Sequence, residues 1–160
     1  MKSDYYPIEG SWKGRLAIAA RPRGDDWLED ELRAWKEQGF DWIVSLLTKE
    51  EELELGIQNE NTLARKLGIE FHSLPIPDRG VPPSRPAINA LVRKIRDGLR
   101  AERNILVHCR QGIGRSSLIA ALVLLAGGAP PNSVWPAIEA ARGRPVPDTP
   151  EQRDWALKSS

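Results

Sequence analysis

Wound as a helix, residues 115–126 are apolar on almost every side, and such a helix is stable only when other elements cover it all round. A short apolar run, residues 104–107, leads into it through His108-Cys109-Arg110-Gln111-Gly112-Ile113-Gly114. A buried strand feeding a buried helix restricts the chain to folds in which helices pack on a central sheet. The remaining pattern agrees. Residues 14–20, 40–47 and 69–74 read as further strands, 40–47 being almost continuously apolar as a sheet covered on both faces requires. Between them, 27–38 and 61–67 read as helices, and Thr48 with Glu51 opens a capping box. Ser84 is placed to cap a long helix with Ile88, Leu91, Val92, Ile95 and Leu99 on one face; 133–142 and 149–158 predict two terminal helices. Residues 75–83 (PIPDRGVPP) must be a loop. The expectation is an α/β fold: a central, mostly parallel sheet of about four to five strands with helices on both faces.

The 160 residues fit a single domain over 1–160, with 1–13 expected to be an irregular N-terminal segment. A net charge of +1 supplies no global field toward nucleic acid or an anionic membrane, so any preference for anions must be local. No run spans a bilayer, and residues 1–10, with Asp4 and Glu9, lack the apolar core of a secretory signal. One cysteine forbids an intrachain disulfide. The expectation is a monomeric cytoplasmic protein without nucleic-acid or membrane partners.

In parallel sheets, ligands sit where strands run out into loops, and Cys109 lies at such a junction. Gly112 and Gly114 let the loop turn successive N–H groups inward as an anion-binding nest at a helix N-terminus. Arg115 ends the loop as a fork for two oxygens of a tetrahedral anion. The same positive field favours the Cys109 thiolate, a nucleophile facing bound phosphate. Ser116 is placed to donate its hydroxyl to the sulfur. His108 reads as a hydrogen-bonded scaffold for the loop rather than a proton carrier, since a thiolate needs no adjacent base.

The segment HCRQGIGRS resembles the His-Cys-(five residues)-Arg-Ser/Thr loop of the cysteine-dependent protein tyrosine phosphatase superfamily. With LGIEFHSLPIPDRGVP and RPVPDTPEQ, the chain is most similar to compact dual-specificity phosphatases of the cyclin-dependent-kinase-associated type and their bacterial relatives. The resemblance implies a cysteine-dependent phosphoric monoester hydrolase whose phosphate-binding loop is Cys109, Arg110, Gln111, Gly112, Ile113, Gly114 and Arg115. It also implies an acid on a loop about thirty residues upstream of the cysteine, and Asp78 stands 31 positions before Cys109. Asp78 equally suits a plain turn, where aspartate is common. By resemblance Gln152 orients the hydrolytic water; by local pattern, Thr149-Pro150-Glu151-Gln152 is a capping box. Both readings stay open for each residue.

The substrate expected is a phosphorylated protein or peptide, carrying phosphotyrosine and also phosphoserine or phosphothreonine. Larger relatives of the family it resembles wall a deep phosphotyrosine pocket with a tyrosine-bearing loop. Tyr5 and Tyr6, the only tyrosines here, have no such surrounding motif, which implies a shallower pocket. The alternative is a non-protein substrate: an RNA 5′ end, an inositol phosphate or a phosphoinositide. Neutral Gln111 and Ile113 disfavour it, and Arg110 keeps it open. Arg79, Arg85, Arg142 and Arg144 flank the expected site either as a basic rim or as solvated surface charge. A rhodanese-like sulfurtransferase would need neither Asp78 nor the PDTPEQ segment, and a non-catalytic phosphate-binding adaptor would not need Cys109. Two histidines and one cysteine offer no metal site, and no cofactor is expected.

Overall fold

The computed structural model describes residues 4–158. Its centre is a five-stranded sheet in the order β1-β2-β5-β3-β4, comprising β1 (Tyr6–Ile8), β2 (Arg15–Ala20), β3 (Trp42–Ser45), β4 (Glu70–Ser73) and β5 (Asn104–Cys109). All neighbours are parallel except β1, which runs antiparallel to β2 with Tyr6 opposite Ile18. The expected α/β architecture is therefore present. One expectation needs correcting: the 1–13 segment is not irregular throughout, because Tyr6–Ile8 pairs with the edge of β2. Three residues are too few to show a period-two pattern, and Pro7 in their midst weakens any strand reading. On an edge, where one side of the strand needs no donor, the proline is tolerated.

Helices α1 (Leu28–Glu37), α2 (Lys49–Leu55) and α3 (Glu60–Lys66) link β2, β3 and β4 in turn; α4 (Arg85–Arg100) leads into β5. Three helices follow β5: α5 (Arg115–Ala126), α6 (Val134–Arg142) and α7 (Pro150–Leu157). Side chains alternate across the strands and divide the core in two. Leu16, Ile18, Val44, Ile105, Val107 and Cys109 pack with α4, α5 and α6 residues such as Ile95, Leu118, Ile119 and Ile138. Ala17, Ala19, Ile43 and Leu106 pack on the other face with Leu28, Leu32, Trp35 and Ala64. As its composition requires, α5 buries nearly every residue through Leu124.

The caps set the register of the helices that carry the site. Thr48 Oγ1 accepts from the Glu51 amide while Glu51 reaches back to the Thr48 amide. The Ser84 hydroxyl accepts from Ala87 N, and Thr149 with Gln152 closes a second capping box. Because β2 and β3 both flank β5, the carboxyl end of β5 lies in the middle of the parallel strands. Among the described residues no helix is long and apolar enough to cross a membrane.

Leu118 is fully buried where α5 meets the sheet. Leu118→Ala should lower unfolding free energy by about 3 kcal/mol, read from urea melts, with an unchanged m-value.

Candidate active site

Cys109 is the last residue of β5 and only 3% exposed. It opens onto a cavity of about 130 Å³ shared with Asp78, Arg79, Arg110, Gln111, Gly114, Arg115 and Asp148. Sulfur and the Ser116 hydroxyl oxygen are 3.3 Å apart, within hydrogen-bond reach, with the thiol donating to the hydroxyl oxygen. Gly112 has φ +71°, and a Cβ there would lie 2.7 Å from the Ala19 carbonyl carbon, so the loop can pass over the end of β2 only as glycine. Gly114 is the N-cap of α5 and supplies no side-chain cap, which leaves the first-turn amides of α5 for a ligand in the cavity. Ile113, in contrast, packs into the core and does not line the cavity.

Arg115 is 2% exposed and held from several sides. Its two terminal nitrogens donate to the two carboxylate oxygens of Glu51 at 2.7 and 2.8 Å. One of them also donates to the Ile76 carbonyl at 2.8 Å, the other to Asp78 Oδ1 at 3.1 Å. The Nε edge makes none of these bonds. Burial disfavours the guanidinium charge, yet Glu51, Cys109 and Asp78 more than offset it and push the pKa up, so Arg115 stays cationic. For Glu51, burial acts to raise the carboxyl; hydrogen bonds from Arg115 and from the Thr48 amide outweigh it and bring the pKa below the ordinary value. Glu51 is a residue that sequence reasoning took only as a cap. The capping box explained it fully, and nothing in its spacing pointed to Arg115.

His108 points to the opposite face of the sheet from Cys109. Its Nε2 lies 2.7 Å from Glu60 Oε2, and both side chains are buried. The partner of His108 is thus a carboxylate at the start of α3, whose sequence context gave no signal. Nearby Glu52 is pushed up, by burial first and by the Glu60 charge second.

The loop after β4 is zipped to the end of β3 through Leu74 N to Ser45 O (2.9 Å) and Ile76 N to Leu46 O (3.0 Å). It then folds into a turn closed by Gly80 N to Pro77 O at 2.8 Å, with Arg79 at φ +59°. Asp78 is thus in a turn and also in the Cys109 cavity. Gln152 is fully buried. Its Oε1 accepts from Asp148 N (3.1 Å) and Thr149 N (3.3 Å), and its Nε2 donates to Gly80 O (2.9 Å). Both ends of the amide are therefore engaged, and it ties α7 to the Asp78 turn. Asp148, unassigned from the sequence, lines the cavity beside it.

The four flanking arginines separate. Arg79 lines the cavity, with a terminal nitrogen 3.9 Å from Asp148. Arg85 stacks on Trp155 at 3.6 Å, Arg144 is exposed, and Arg142 turns inward beneath the loop. Arg110 lines the cavity but donates to Glu54 at 2.8 Å. Among the described residues, no cluster of three or more His, Cys, Asp or Glu side chains is arranged to hold a metal ion.

Residues 17–129 match the family model described as "Polymorphic toxin system, DSP-PTPase phosphatase". The chain belongs to this phosphatase family. It is similar to cyclin-dependent kinase inhibitor 3 of Rattus norvegicus, with 30% identity over 98 residues. That match takes in 61% of this chain and 46% of the relative, so the chain spans about half the length of the curated relatives it matches. In solved structures, the DSP-PTPase fold matches kinase-associated phosphatase bearing a serine in place of its catalytic cysteine. There the TM-score is 0.89 at 22% identity, covering 98% of this chain and 93% of the other. It also matches PTPMT1 in complex with PI(5)P, with TM-score 0.76 at 19% identity over 96% and 92% of the two chains.

The depressed Glu51 carboxyl has a definite sign. Its contribution to stability is complete above the ordinary glutamate value of 4.5 and is lost as pH falls through the lower folded-state value. Glu51→Gln should therefore be less stable than wild type at neutral pH, with the gap closing in acid. Urea melts over an acid-to-neutral series check this; a gap independent of pH would show that the charge is not the source.

Proposed function

We propose that this chain hydrolyses phosphate esters on protein side chains through a cysteinyl-phosphate on Cys109. The reading is carried by one observation: a cysteine, a helix N-terminus, a buried arginine and an exposed-loop aspartate converge on one small cavity. In the first step the Cys109 thiolate attacks phosphorus, the S–P bond forms and the ester P–O bond breaks. Asp78 passes its proton to the departing oxygen. The unpaired α5 amides and Arg115 meet the charge that develops on the equatorial oxygens. In the second step ionised Asp78 takes a proton from water, whose oxygen attacks phosphorus. The S–P bond breaks and inorganic phosphate leaves, with the Ser116 hydroxyl stabilising the released thiolate.

Asp78 meets Arg115 in the structure through a carboxylate oxygen. A bound phosphate competes for that nitrogen and frees Asp78 to face the leaving group. Gln152 serves in this reading as a holder of the Asp78 turn, because its oxygen is taken by the Asp148 and Thr149 amides and its nitrogen donates to Gly80 O. Asp78 itself is 53% exposed at its side chain, which fits a shallow site open to phosphotyrosine, phosphoserine and phosphothreonine. A phosphoinositide or inositol phosphate is the second reading, supported by Arg110 at the cavity and by fold likeness to a lipid-bound relative. The Glu54 partner of Arg110 weighs against it, since a second phosphate would have to displace that carboxylate.

Cys109→Ser should abolish turnover of an aryl phosphate while still retaining phosphopeptides in a pull-down; turnover by the serine variant refutes a thiolate nucleophile. Asp78→Asn should slow hydrolysis of poor leaving groups by about 10²–10⁴-fold and of activated aryl esters much less. Equal losses across a leaving-group series would remove Asp78 as the acid. A panel of phosphopeptides against phosphoinositide headgroups separates the two substrate readings.

A further inference from the structure

Arg142, the last residue of α6, has no part in the mechanism above and does not line the cavity. Its Nε donates to the Gly112 carbonyl at 3.0 Å and its Nη2 to the Gln111 carbonyl at 3.3 Å. The guanidinium lies over the ring of Tyr6 in β1, with Cζ 4.1 Å from the centroid, so its plane and approach are fixed from the other side. Two successive carbonyls of the loop are thus gripped by one fork.

A trans peptide points its C=O and its N–H in opposite directions. The Gln111 carbonyl shares a peptide unit with Gly112 N–H, and the Gly112 carbonyl shares one with Ile113 N–H. Pulling both carbonyls toward Arg142 therefore turns both amides away from it, toward the inside of the loop. Gly112 and Ile113 are buried, and among the described residues neither amide is engaged by a protein acceptor. Buried amides without partners are costly, and a row of them facing one side is a site for an oxyanion. A cationic donor on the carbonyl of a peptide unit also polarises that unit and makes its N–H a stronger donor.

We propose that Arg142, stacked on Tyr6, is a positioning residue that orients and polarises the Gly112 and Ile113 amides for the phosphate. It acts through the loop without touching substrate. The inference rests on the phosphate-site reading and adds to it a residue of another element, with β1 as its platform.

The test uses tungstate, a tetrahedral dianion, as the probe of the loop, with binding measured by calorimetry on the whole chain. Arg142→Ala should bind tungstate about ten- to a hundredfold more weakly, the loss expected when charge-assisted hydrogen bonds are removed. Arg142→Lys keeps the charge but not the fork and should fall between the two. Millimolar guanidinium added to Arg142→Ala should restore part of both tungstate affinity and aryl phosphate turnover, which a purely structural role would not allow. Folded Arg142→Ala that binds tungstate within about twofold of wild type overturns the proposal, since two lost charge-assisted bonds cannot cost so little. If Arg142→Ala does not fold, a folded Arg142→Lys with wild-type affinity overturns it equally. Wild type that fails to bind tungstate at all would bring down the phosphate-site reading and this inference together, whereas wild-type binding with an indifferent Arg142 removes only the brace.

Discussion

A guanidinium almost wholly withdrawn from water is the constraint on which the site depends. Arg115 can be ionised there only because the Glu51 carboxylate meets it edge to edge and the Ile76 carbonyl accepts a further hydrogen bond. Buried pairs of this kind add little net stability, because desolvation cancels much of the attraction, and removing one member leaves an uncompensated charge. What the pair contributes is position. The cation is fixed at the cavity by protein partners alone, so in the proposed reaction little reorganisation would be left to it.

The same economy extends outward. Glu51 sits at the third position of α2 and closes the cap of that helix with the oxygen that also meets Arg115, so helix start and cation are set by one carboxylate. Behind Cys109, Glu60 ties α3 to His108, one residue before the sulfur, from the other face of the sheet. The short loop between β5 and α5 has few internal bonds of its own; α2, α3, α6 and the first strand are what keep it in shape.

The sequence was most informative where one residue type admits one use. The apolar helix 115–126, the glycines at 112 and 114, and the Cys-to-Arg spacing made the central strand–loop–helix legible. The loop character of 75–83 was legible from its prolines. What escaped were contacts between segments far apart in the chain. Glu51 and Arg115 are 64 positions apart, and Glu60 and His108 are 48, so no local window contains either pair. Arg142 escaped for a different reason: an arginine at a helix end has an ordinary surface explanation. The first strand was hidden by its brevity and its proline. At Ile113 the loop motif did not reveal where the side chain goes: it is a core anchor, so only the backbone of that residue is left to the loop.

Gln152 carries a consequence for what that position tolerates. A capping box accepts glutamine or glutamate at its third residue with equal ease. Here the far side of the amide must give a proton to the Gly80 carbonyl, which glutamate in its ionised form lacks. Glutamate would start α7 just as well yet set two acceptors face to face across to the aspartate-bearing turn, loosening that turn while leaving the helix intact. The choice between two nearly isosteric side chains is therefore made by a carbonyl 72 positions away, not by the helix the residue begins.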